Sequence, residues 1–237
     1  MGGVRFISAG PLSVLAVILL VCFIVILIPL LILGVIGAAF TRLGFSWIAA
    51  LAVIFLMLFG SFVNIPIYTI RREMVRTFAS DSSGSELSAP WATLPVWDTT
   101  IAVNLGGGII PVCIALYLVY RAALVGGTAI VPEVCTCAIL VAAITRLSTP
   151  TVKGVGFRVP LIIPALAALL IGLFLNGGPG LAAGVVALAG GTLGTLIGGN
   201  LVHLFRARDL EVPEISIGGY GTFGAVFLCC LLPALVA

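Results

Sequence analysis

Charge is what this chain has least of: eight acids, eleven lysines and arginines and one histidine in 237 residues, or 8% charged, against about a quarter in soluble domains. A net charge of +3 spread over so few cations supplies no basic footprint for nucleic acid. A soluble enzyme and a disordered tail are excluded on the same ground. No Walker loop, HExxH, GxSxG or CxxC occurs, so no cofactor is expected, and no catalytic residue can be named. The six cysteines, Cys22, Cys113, Cys135, Cys137, Cys229 and Cys230, all lie in apolar runs and read as small buried hydrophobes. No His, Asp or second Cys pair stands at zinc-site spacing from Cys135 and Cys137, so no metal site is expected either.

What is present is apolar: 62% of the chain is hydrophobic and the mean hydropathy is +1.34. Apolar runs at 12–39, 45–63, 101–120, 128–145, 159–175, 181–201 and 218–236 predict an all-α, polytopic membrane bundle of about seven helices. The first run is far longer than the core of a cleavable signal peptide and reads as a retained span, with Pro29 a place for it to kink. The fourth is the weakest, because Pro132 and Glu133 interrupt it.

Cytoplasmic loops collect Lys and Arg, which gives an independent test. With seven spans, Arg5, Arg71, Arg72, Arg76, Arg146, Lys153, Arg158, Arg206 and Arg208 share one side, and only Arg42 and Arg121 the other. Deleting the fourth span removes this asymmetry. The expectation is therefore one integral domain over 1–237 in the cytoplasmic membrane, N-terminus inside and C-terminus outside. Residues 65–100 form a cytoplasmic loop or short hairpin, in which 67–77 and 96–103 pair as strands or form a surface helix. Trp91 and Trp97 there read as interfacial anchors.

Glycine and proline gather at the cytoplasmic ends of the spans. Gly106, Gly107, Gly108 and Pro111 open the third, Pro160 and Pro164 the fifth, and Gly218, Gly219 and Gly221 the seventh. Broken helices at membrane depth occur where protein or a water-filled cavity satisfies the freed backbone. These breaks predict a cytoplasm-facing cavity lined by Asn104, Asn200, Tyr220 and Thr222, with Asn64 and His203 near its rim. Against it stands simple packing: Gly190, Gly194 and Gly198 recur every four residues on one face of the sixth span, as close helix contact requires. The sequence Gly219-Tyr220-Gly221-Thr222-Phe223-Gly224 matches a dinucleotide fingerprint, but no acidic residue follows to hold a ribose.

Several stretches in order resemble the prokaryotic membrane family called domain of unknown function 1614. They are Phe62-Val63-Asn64-Ile65-Pro66, Ala102-Val103-Asn104-Leu105-Gly106-Gly107, Gly154-Val155-Gly156 before Pro160, Gly191 through Gly198, and Ser216-Ile217-Gly218-Gly219 through Phe223. The resemblance covers nearly the whole chain and brings no established activity. It implies an Asp ending the sixth span, where this chain has Asn200, and another in the seventh, where it has Gly224. A pair of such acids would look like the presenilin and signal-peptide-peptidase arrangement, in which two aspartates sharing a proton activate water. Neither Asn nor Gly can do so.

Three readings follow: a transporter-like or solute-binding protein, a non-catalytic subunit or scaffold, and a relict of an intramembrane aspartyl protease without its carboxylates. Expected partners are the bilayer and other membrane proteins or a second copy of the chain.

Overall fold

The computed structural model describes residues 11–70, 98–126, 128–152, 156–209 and 212–237. Its first helix, α1 (Pro11–Arg42), runs unbroken through Pro29, and at 1.5 Å per residue it is about 48 Å long against a hydrocarbon thickness of about 30 Å. Large apolar side chains from Ile18 to Leu31 are exposed, as expected where lipid is the solvent. The C-terminal turns of α1 pack down instead, burying Ile36, Ala39 and Phe40, with Leu43 just beyond the helix buried beside them. Helix α2 (Trp47–Gly60) starts at Ser46, whose hydroxyl accepts from Ala49 N at 3.2 Å, a side-chain cap for one orphan donor.

Beyond α2 the chain turns extended. Strand β1 (Asn64–Ile70) pairs antiparallel with β2 (Thr99–Asn104), and both are rich in the Ile, Val and Thr that favour strands. A π-helical turn, Leu105–Ile109, leads into α3 (Ile110–Gly126), followed by α4 (Ile130–Ser148). Two short strands, β3 (Thr151–Val152) and β4 (Gly156–Phe157), make a small hairpin. Then come α5 (Ile163–Leu175), α6 (Leu181–Gly199), a 3-10 helix over Leu201–Asp209, β5 (Glu214–Ile217) and α7 (Phe223–Ala234). Strand β5 joins the far side of β2 in parallel, completing a mixed sheet of order β1-β2-β5.

Among the described residues seven α-helices form and helix predominates, with five short strands beside them, and the span boundaries need correcting. Residues 101–104, expected inside the third span, are strand, and 218–222, expected to open the seventh, are a turn after a strand. Among the described residues, four helices are long and apolar enough to cross a membrane: those containing α1, α3, α4 and α6. Helices α2, α5 and α7 have 14, 13 and 12 residues, about 18–21 Å of rise. Hydropathy counts apolar strand and turn residues as span, because it measures solvent preference and not backbone geometry.

Helix α6 is the axis of the bundle, surrounded by α3, α4, α5 and α7. Its glycines determine how closely it is approached. A Cβ on Gly190 would lie 2.6 Å from that of Cys137, and one on Gly194 would lie 2.6 Å from Ala138 O, both on α4. Gly191 faces Ala168 of α5 in the same way. Each helical glycine costs about 1 kcal/mol of propensity, and close van der Waals contact along the helix offsets it. The small-residue ridge is therefore occupied within the chain. Cys137, Cys229 and Cys230 are buried beside it and Cys22, Cys113 and Cys135 are exposed; Thr195 and Thr192 contact the sulfurs of Cys229 and Cys230 at 3.3 and 3.5 Å.

The helices alternate in direction. At one end, Arg121 of α3 donates to Gly44 O at 3.1 Å, and Gly180 N donates to Val236 O at 3.1 Å. At the other end meet the C-termini of α2 and α4, the sheet and the approach to α7.

Candidate functional site

The sheet end of the bundle is organised by two asparagines. Asn104, 1% exposed, ends β2 and caps the π-helical turn, its Oδ1 accepting from Gly107 N at 2.8 Å. Its Nδ2 donates to Ser61 O at 2.7 Å and to Asn64 Oδ1 at 2.9 Å. Asn64, on β1, reaches over β2 to the third strand, where Nδ2 donates to Glu214 Oε1 at 2.9 Å and Oδ1 accepts from Ser216 Oγ at 2.7 Å. Ala102, between Pro66 and Ser216 in the register, keeps the intervening position small. One polar network thus ties all three strands to the end of α2.

Glycine permits the close approaches that this arrangement needs. Gly107 and Gly218 lie so near that a Cβ on either would strike the other's carbonyl oxygen. Gly218 and Gly221 take φ of +76° and +80°, values costly for any residue with a Cβ. The chain after β5 thereby reverses and starts α7 at Thr222. No side chain caps α7; the Thr222 hydroxyl instead accepts from Asn200 Nδ2 at 3.1 Å. Asn200 ends α6 and is 1% exposed, and its Oδ1 is buried without a hydrogen-bond partner.

Two adjoining clefts open here. The larger, about 830 Å³, lies between the C-terminal end of α4, the chain leading to α5 and the start of α7, with Arg158, Tyr220, Thr222 and Gly224 in its wall. The smaller, about 230 Å³, is lined by Asn200, Glu214, Ser216 and Phe157 among others. Asn64 and Tyr220 belong to both. One compartment therefore offers a guanidinium and a helix N-terminus with no side-chain cap, and the other a carboxylate and an unpaired amide oxygen.

Of the residues read from sequence as cavity-lining, Asn64, Asn200, Tyr220 and Thr222 are brought together here. Asn104 is placed differently: it is buried beneath Asn64 and holds backbone. His203 is also off the rim; it is 1% exposed, its ring 5.1 Å from that of Phe157. Among the expected helix breaks, Pro160, Gly219 and Gly221 line the larger cleft. Gly106, Gly107, Gly108 and Gly218 instead pack backbone against backbone or side chain, and Pro111 and Pro164 are buried in the first turns of α3 and α5. The Gly219-Tyr220-Gly221-Thr222-Phe223-Gly224 stretch does have a strand before it and a helix after it, although the acidic residue that would hold a ribose is missing. Trp91 and Trp97 lie outside the described residues.

Sequence reasoning missed Ser216, Arg158 and Phe157 as site residues and puts Glu214 toward this end of the bundle but in a loop, where the structure has a strand. Glu214-Ile215-Ser216-Ile217 alternates polar and apolar, the signature of a half-buried strand. It therefore belongs to a sheet, although its acid reads as a loop residue when the bundle is taken as purely helical. Positions 200 and 224, where the family resemblance implies aspartates, both lie in cleft walls, and here neither carries a carboxylate.

Among known proteins, no curated protein and no solved structure matches this chain. A family model described as "Protein of unknown function (DUF1614)" matches residues 58–236, a stretch that includes every residue lining the two clefts. The chain, with its four helices long and apolar enough to cross a membrane, belongs to the DUF1614 family.

Proposed function

We propose that this protein crosses the membrane seven times and binds a small polar solute in the paired clefts, as a transporter-like protein without catalytic activity. The observation that carries the reading is the amide oxygen of Asn200, buried in a cleft wall with no partner. A buried acceptor left unpaired costs about 1–3 kcal/mol, and a solute donor entering the cleft would recover that. The three short helices become crossings when their strand and turn extensions are shielded by neighbouring protein, as membrane-depth backbone requires. The excess of Arg and Lys on the loops at the cleft end supports an orientation in which that end faces the cytoplasm across a prokaryotic inner membrane.

The scaffold reading drew its support from the small-residue ridge of α6, which is occupied by α4 and α5. A relict protease fits the family resemblance, but among the described residues Glu214 is the one acid in the cleft walls.

The test is flux in proteoliposomes supplied with labelled amino acids, sugars and nucleosides. Saturable uptake that disappears in Asn200→Leu is the expected result. Absence of saturable uptake, together with failure of every solute to protect a cysteine placed at Tyr220 from an aqueous thiol reagent, would overturn the reading.

A further inference from the structure

Resting on the solute-binding reading, we infer that the ligand is a small zwitterion of the amino-acid type, bound with its carboxylate in the larger cleft and its ammonium in the smaller. The two compartments have opposite character. In the larger, Arg158 lines the same space as Gly219 through Ala225, which lead into and begin the 12-residue helix α7. At the start of α7, Phe223 N and Ala225 N already donate to Gly219 O and Thr222 O at 2.8 and 3.0 Å, so what this end offers an anion is the positive end of the dipole and the N–H of Gly224, a residue of the cleft wall. Thr222 makes no capping bond of its own, so no side chain of this helix fills the anion's place.

Among the described residues, none that lines the smaller compartment is a cation. Its polar groups are Asn64, Asn200, Glu214, Ser216 and Tyr220. Asn64 gives its amide N–H to Glu214 Oε1 and so orients the carboxylate. Asn200, 1% exposed, adds an amide oxygen that no protein donor reaches. A carboxylate and a bare amide oxygen in one small space suit a group that has several donors and a positive charge, which describes a primary ammonium. A simple anion would face Glu214, and a simple cation would leave Arg158 and the α7 N-terminus unanswered. Asn64 and Tyr220 belong to both compartments, so one solute can lie across the boundary with an end in each.

Binding to the purified full chain in nanodiscs tests this, with glycine, γ-aminobutyrate and ε-aminocaproate as zwitterions of increasing length. Succinate, putrescine, glucose and uridine serve as comparators. The expected result is that at least one zwitterion binds tenfold or more tighter than every comparator. Esterifying its carboxylate or acetylating its amine should each abolish binding to the native protein, a readout that needs no variant. Arg158→Gln should lower its affinity tenfold or more, with recovery in Arg158→Lys, and Glu214→Gln, which keeps an acceptor for Asn64, should do the same. If succinate, putrescine, glucose or uridine binds as tightly as any zwitterion, the zwitterion assignment is overturned while the solute site stands. If no compound of the panel binds, both fall.

Discussion

Asn200 donates from Nδ2 to Thr222 Oγ1 over 3.1 Å and leaves Oδ1 buried without a partner. The bond ties the end of α6 to the start of α7. Replacing Asn200 with Leu removes the tie and the free acceptor together, so solute affinity should fall at least tenfold. Stability should change little, by about 1 kcal/mol or less, because the variant also removes an unsatisfied group. Thermal unfolding in detergent beside the binding measurement checks both; a large loss of stability would mean that Asn200 is chiefly a strut.

Asn104 should behave in the opposite way. Its carboxamide serves Gly107 N, Ser61 O and Asn64 Oδ1 at 2.7–2.9 Å; Asn104→Leu leaves Gly107 N and Ser61 O without that partner, while Asn64 Oδ1 keeps Ser216 Oγ. The expected cost is about 2 kcal/mol or more, at roughly 1–3 kcal/mol per unsatisfied group, seen as a lowered unfolding midpoint and poor yield. Native stability in Asn104→Leu would contradict the network described above.

Both asparagines are visible in the sequence as polar residues beside glycines in apolar runs, and position alone does not separate their roles. The difference lies in non-local partners: Ser61 is 43 residues from Asn104, and Thr222 is 22 from Asn200. The apolar helices α1 and α6 were legible because their length and composition are local properties. The sheet was half legible. Pairing of the segments around 67 and 101 follows from the β-branched residues on either side of one polar loop. The parallel third strand was hidden by the expectation of a purely helical bundle, and with it Glu214 and Ser216.

The glycines of α6 are predicted to be intolerant in proportion to what they touch. A side chain at Gly194 would meet Ala138 O and Val141 Cβ at 2.6 and 2.7 Å, and backbone cannot yield as a flexible side chain does. Gly194→Val should therefore push α4 and α6 apart and cost about 1–3 kcal/mol or more by overpacking. Gly34, in α1, has nothing within 4 Å of its Cβ position, so Gly34→Ala should be neutral or stabilising by about 0.5–1 kcal/mol. Equal effects of the two variants on the unfolding midpoint would argue against a bundle packed on α6.

Side-specific labelling addresses which way the clefts face. Tyr220 is 82% exposed and lies in the wall of both clefts, so a cysteine placed there should react with a charged, membrane-impermeant thiol reagent. The native thiols compete little: Cys137, Cys229 and Cys230 are buried, and the exposed Cys22, Cys113 and Cys135 can be changed to alanine beforehand. If Arg158, Arg146 and the loop arginines hold this end in the cytoplasm, Tyr220→Cys reacts in inverted vesicles and not in intact cells. A cysteine at Asn176, in the loop between α5 and α6 at the opposite end of the bundle, should show the reverse pattern. Labelling of both from the same side would break the alternation on which the seven-crossing reading depends, and reversal of both would turn the clefts to the outside while leaving their chemistry unchanged.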